Sequence, residues 1–197
     1  MTEMIKSTEN DHGCAEKIGI FLFRGALAFC FIFLCSGETN AIAEAKVHEN
    51  AGNQLRELAD RVVVLKEKRK LIVMRAEKVL KIFNIALGRY SKGHKLQEGD
   101  ARTPEGSYVL DKKLRDSQFY RAIRISYPNE TDKARAEASG VNPGGKIMIH
   151  GLPNNKSEKD VGHPYIDWTQ GCIAVTNQEM RVLWSIIEPG IPIEIHP

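Results

Sequence analysis

The sequence predicts a mostly-β domain, a curved sheet or barrel-like sandwich with one main helix packed at its side. Three observations carry that reading. Short β-branched or alternating runs recur from Arg61 to the C-terminus with turn residues between them. One segment, opening at Thr176, has the capping signature and apolar stripe of an amphipathic helix. The strand–helix–strand alternation that a parallel sheet requires is missing.

The elements follow in order. Residues 1–43 read as an export signal rather than as part of the fold. Lys17 and Arg24 supply positive charge, Gly25 to Leu34 is an unbroken apolar run, and Ala41-Ile42-Ala43 offers the small residues before a cut at Glu44. An uncleaved N-terminal anchor is the alternative, although Arg24 interrupts the run and it is short for a bilayer span. Either way the rest of the chain is expected outside the inner membrane, in the periplasm or cell envelope. Residues 44–60 read as a linker or short helix, and 61–197 as one folded domain.

Within that domain, Arg61 to Leu65 and Leu71 to Met74 are β-branched runs around a charged turn, Lys66 to Lys70, which is a hairpin pattern. Val79 to Gly88 alternates as a third strand. Ser91 to Gly106, with its glycines, proline and charges, reads as a loop longer than most connections, which favours a functional role. Tyr108 to Leu110 and Arg121 to Ile125 are further strands, and Thr131 to Ser139 is a short charged helix closed by Gly140. Ile147 to Ile149 is a short buried strand that delivers His150 to its end. Gly151 to Gln170, rich in Pro, Gly and Asn, is a second long loop. Thr176 with Glu179 three residues on makes a capping box. Met180, Leu183, Trp184 and Ile187 then form the apolar stripe, with Trp184 expected in the core. Pro189-Gly190 stops the helix, and Ile191 to Ile195 is the last strand.

Composition narrows the function. A net charge of +3 is too mild for a nucleic-acid binder, which would carry a dense basic stripe, and suits an anionic wall or membrane surface. Of the four cysteines, Cys14, Cys30 and Cys35 fall in the signal segment. Cys172 alone remains in the mature chain. A thiol exported without a partner cannot be a disulfide half, so a nucleophile is the leading explanation.

A free thiol is only a few per cent thiolate at neutral pH and needs a nearby imidazole to take its proton. His150, at a strand end, and Cys172, after Gly171, are separated by a loop long enough to return alongside. Gly171 allows an unusual backbone angle and close approach of substrate, and backbone N–H groups around Cys172 are natural oxyanion donors. The bland alternatives are a buried cysteine acting as a small hydrophobe and a structural strand-end histidine.

These residues carry a resemblance. His150-Gly151, followed by Thr169-Gln170-Gly171-Cys172, resembles the signature of the YkuD-type L,D-transpeptidases, a histidine preceding a Ser/Thr-x-Gly-Cys turn. Gly99-Asp100-Ala101-Arg102-Thr103-Pro104-Glu105-Gly106 is similar to the family's Gly-Asp-x-x-Thr-Pro-x-Gly segment, and the early hairpin and closing strand match too. The resemblance spans about Arg61 to Ile195. It implies a cofactor-free catalytic domain acting on peptidoglycan stem peptides. Cys172 would be the nucleophile, His150 the general base, Gly151 the backbone orienter of that imidazole, and Gly171 part of the oxyanion turn. The acyl group would pass to an amine on a neighbouring stem, to a wall-attached protein, or to water.

The chain also departs from the pattern. Gln170 stands where His or Arg is common, Ala174 where Arg or Asn is common, and the insert before Thr169 is longer. This variant resembles the YafK-like branch, some of whose members cut wall bonds rather than make them. Among other residues, His163 is read as a second catalytic histidine, a substrate contact or a mobile loop residue. Asp167 and Trp168, with Thr169 and Gln170, are expected to line the substrate side. Arg102 and Lys95 are read either as carboxylate holders or as solvated charges. A zinc hydrolase using His150, His163, Asp167 and Cys172 and a wall-binding module with an inert Cys172 are the rival classes. Thiol alkylation and chelators separate the three.

Overall fold

Alternate burial along Arg61 to Leu65 explains the first strand: Val62 and Val64 face inward and are fully buried while Arg61, Val63 and Leu65 do not bury completely. The computed structural model describes residues 57–197. The expected signal segment 1–43 with its cut before Glu44, Cys14, Cys30 and Cys35, and the linker up to residue 56 lie outside the described residues.

β1 (Arg61–Leu65) pairs antiparallel with β2 (Lys70–Arg75), and β2 with β3 (Lys78–Asn84), as the hairpin pattern implied. β4 (Gly106–Leu114), β5 (Ala122–Ile125), β6 (Met148–His150), β7 (Ile173–Ala174) and β8 (Ile191–His196) complete one mixed eight-stranded sheet in the order β3-β2-β1-β8-β4-β5-β6-β7. Two neighbours are parallel, β1 with β8 and β6 with β7.

The sheet curls until its ends meet. β3 stops at Asn84, earlier than the alternation to Gly88 suggested, because the chain there changes partner. Ala86 leaves β2 and exchanges two hydrogen bonds with Ala174 of β7, at 3.0 and 2.8 Å. Thr169 N–H then donates to Leu87 carbonyl, and Arg89 N–H to Thr169 carbonyl, both at 3.1 Å. The result is the curled half-barrel of a mostly-β domain. Its core runs from Val62, Leu71 and Val73 through Leu110, Ile123 and Ile149 to Met180, Leu183 and Ile187 on the covering helix.

Among the described residues three helices pack around it: α1 (Glu130–Ala138), α2 (Glu158–Val161) and α3 (Asn177–Ile186). The Thr176–Glu179 capping box opens α3 as its sequence indicated, with Glu179 N–H on Thr176 Oγ1 at 3.2 Å and Thr176 N–H on Glu179 Oε2 at 2.8 Å. α2 interrupts the segment read as one long loop. Its own capping box, Ser157 with Asp160, sits in so short and polar a stretch that no apolar periodicity advertised it.

Several expectations need correction. Lys66 lies in the charged turn as expected but is enclosed there: it is 2% exposed, and its ammonium donates to Gly93 carbonyl, Thr103 carbonyl and Glu105 at 2.7, 3.0 and 2.6 Å. Buried charge is tolerated when every donor is satisfied, and here it ties the 91–106 loop to the β1–β2 turn. Lys95 is buried as well, held by Asp100 at 2.8 Å, rather than solvated. Trp184 is half-buried at the core's rim and is faced by cations instead of being enclosed.

Candidate active site

The parallel β6–β7 pair builds the site. Its register sets Ile149 opposite Ile173 and His150 opposite Ala174. Two residues back from Ala174, Cys172 therefore falls on the same face as His150, one diagonal step away. The thiol donates to Lys146 carbonyl at 3.6 Å.

His150 is wholly buried, and its Nδ1 lies 2.6 Å from Gly151 carbonyl. A carbonyl can only accept, so Nδ1 carries the proton and the lone pair is on Nε2. That Nε2 has no partner among the described residues. Phe119 stacks on the imidazole with centroids 3.9 Å apart, and Trp168 meets its edge at 5.7 Å. Burial pushes the imidazole down to about 4, against the pull of the Gly151 carbonyl, with buried His163 adding to the depression. Burial likewise pushes the Cys172 thiol up to about 11, opposed by a backbone hydrogen bond from the Met148 region and by the Lys95 charge. Cys172 as a residue is half-buried. Both shifts favour a neutral thiol beside a neutral imidazole.

Two glycines make the geometry attainable. Gly171 has φ +124°, and a Cβ there would stand 2.6 Å from Arg102 carbonyl. A Cβ on Gly151 would stand 2.6 Å from Asn177 Oδ1 and 2.7 Å from Tyr120 carbonyl. Thr169 fixes the turn internally: its hydroxyl donates to Cys172 carbonyl at 2.7 Å and accepts Gly171 N–H at 3.1 Å. The Gly171 N–H is thus engaged within the turn.

The remaining candidates divide. Trp168 is against His150, its indole N–H buried and unpartnered. Asp167 faces the other way: Arg69 holds both its oxygens, Nε at 3.0 and 3.1 Å and Nη2 at 2.5 Å, and Leu87 N–H donates to it at 2.9 Å. Burial raises the Asp167 carboxyl, but the Arg69 contacts and the Leu87 N–H pull it net below its ordinary value. His163 is no mobile loop residue. It is 5% exposed, and neither ring nitrogen has a partner among the described residues. Gln170 is exposed, and Arg102 lines a groove of about 410 Å³ with Tyr90 and Leu96. His150, His163, Asp167 and Cys172 do not gather as metal ligands, and no group of three such residues does among the described residues.

Phe119, Arg69 and Asn177 escaped the sequence reading. Asn177 accepts Leu152 N–H at 2.8 Å and so pins the chain leaving His150 to the start of α3. Its place just after the capping threonine was the one signal available. Arg69 lies in a turn and Phe119 in an isolated bridge to Pro153, where no periodicity marks a residue.

With this geometry in place, similarity to known proteins is informative. The profile of YkuD, the L,D-transpeptidase catalytic domain, matches residues 59–195. YafK of Escherichia coli (strain K12) is 28% identical over 150 residues, covering 69% of this chain and 53% of YafK. The crystal structure of the helical cell shape determining protein Pgp2 from Campylobacter jejuni shares the fold. It has a TM-score of 0.54 and 24% identity over 75% of this chain and 53% of Pgp2. The chain spans about half the length of these relatives.

Proposed function

We propose, since this chain belongs to the YkuD family of L,D-transpeptidase catalytic domains, that it is a cysteine acyltransferase working on peptidoglycan stem peptides in the cell envelope. The observation that carries the reading is the unpartnered Nε2 of a neutral, rigidly held His150 on the same strand-pair face as the sole thiol among the described residues. His150 removes the Cys172 proton as sulfur attacks the carbonyl of the third stem residue, and returns it to the departing amine of the terminal D-residue. The tetrahedral oxyanion is met by the backbone N–H of Cys172, because that of Gly171 is engaged by Thr169. The acyl group then passes to an acceptor amine as its bond to sulfur breaks; the amine's proton goes to His150 and from there to the departing Cys172 thiolate. No cofactor is required, and nucleic acid is no partner.

Hydrolysis of the same class of bond is the second reading. The insert beside the thiol ends in exposed Gln170 and carries Tyr165 at 94% exposure, so the acceptor side stands open to water.

A carbapenem should add one drug mass at Cys172, and Cys172→Ala should abolish the adduct. His150→Ala should slow acylation by roughly 10². Tetrapeptide stems should then yield cross-linked or D-amino-acid-exchanged products. Tripeptides alone would establish hydrolysis, and labelling that persists in Cys172→Ala would overturn the whole reading.

A further inference from the structure

We propose that Arg121, assisted by Arg115, forms a carboxylate-binding subsite on the His150 side of the active centre that holds the acceptor peptide. This rests on the reading of the site as an acyltransferase centre.

Arg121 is set in place by the strands that carry the base. Its neighbour Ala122 is the register partner of His150, and the carbonyl of Tyr120 accepts Gly151 N–H at 3.0 Å. At φ +49°, Arg121 adopts a left-handed backbone that a non-glycine residue rarely takes. Its guanidinium lies 5.3 Å from the ring centroid of Tyr120 and 5.3 Å from that of Trp184. Stacking of this kind holds the fork flat while leaving its edge N–H groups free.

Two more cations approach the same indole, Arg115 at 5.8 Å and Lys113 at 5.7 Å. Lys113 has an acid, Glu188, at 3.2 Å. Among the described residues neither Arg115 nor Arg121 has a carboxylate within ion-pair distance or a side-chain hydrogen bond. Like charges gathered on one ring repel, and an anion relieves that repulsion. Both arginines line a cavity of about 330 Å³ together with Ser117, Phe119 and Asn154, with exposed Asp116 also on its wall.

Phe119 connects this cavity to the chemistry, being both its wall and the ring stacked on His150. The acceptor amine must give its proton to His150, so the acceptor approaches from the imidazole's side. A planar fork on the wall of a cavity that shares Phe119 with the imidazole fits a peptide carboxylate in two-point fashion.

The test uses Trp184, one of two tryptophans in the chain, as reporter in a Trp168→Phe, Cys172→Ala background that prevents turnover. A stem tetrapeptide with free carboxylates should change Trp184 emission saturably. Its carboxamide form, or Arg121→Gln, should bind about tenfold more weakly, with Arg115→Gln losing less and Arg121→Lys falling between. Equal affinity for the carboxamide, or unchanged binding by both Arg121→Gln and Arg115→Gln, would overturn the subsite. Carbapenem labelling separates the two proposals. Failure of the wild type to acylate would remove the acyltransferase reading and leave the binding result standing.

Discussion

Arg69 and Asp167 are joined fork to fork across the barrel end, with guanidinium Nε and Nη2 on the two carboxylate oxygens at 2.5 to 3.1 Å. The pair links the β1–β2 turn to the residue immediately before Trp168. Asp167 also accepts Leu87 N–H, and the Leu87 carbonyl accepts Thr169 N–H, so the turn that carries Cys172 hangs from this junction. Asp167 is the more buried partner, with its side chain 16% exposed against 35% for Arg69.

Asp167→Asn should therefore destabilise the domain by about 2 kcal/mol at neutral pH, the range for hydrogen bonds to a charged group. The carboxyl's folded pKa is depressed. Its contribution is complete above the unfolded carboxylate range, near pH 4, and is lost as pH falls through the lower folded value. Urea unfolding of wild type and variant at neutral pH and at about pH 3 checks this. The difference between them should shrink in acid, and an unchanged difference would show that the charge is not what the junction uses.

His150 gives the milder acid range a slope of its own. Burial holds the folded imidazole at about 4. The unfolded ring, near 6.5, takes up a proton first as pH drops, so stability is full above about 6.5 and falls by on the order of 3 kcal/mol toward pH 4. His150→Gln should flatten that part of the stability profile. Acylation of Cys172 should also persist well below pH 6, because the base stays unprotonated. An acid limb at the ordinary histidine value would show that the ring is hydrated in solution.

His163 offers a direct comparison of structure with function. Its ring is buried with both nitrogens unpartnered among the described residues. Burial lowers its pKa, with Glu179 and Glu158 pulling the other way. Replacing an unsatisfied polar group by an apolar one of similar size relieves a desolvation cost, so His163→Leu should stabilise the domain by about 1 kcal/mol. A melting temperature that rises with unchanged acylation makes His163 a packing residue. A rise accompanied by slower acylation would assign the ring a part in catalysis.

How much of this was legible beforehand depended on the range of the interactions. The β1–β2 hairpin, the α3 capping box and the closing strand could be read directly, because alternation, turn residues and a Thr-x-x-Glu cap act within a few positions of one another. His150 and Cys172 were visible for the same reason, each beside a glycine whose close backbone contacts leave no room for a side chain. The sequence by itself determined the class of fold, and it set Cys172 and His150 each next to a glycine. Tertiary structure alone decided what surrounds them: Phe119 on the ring, Arg69 on Asp167, Lys66 enclosed by three acceptors, and the bridge from Ala86 to Ala174 that closes the sheet. Those contacts join residues tens of positions apart through the curl of the sheet. No local pattern encodes such a pairing, since burial and charge partnership are properties of the assembled barrel.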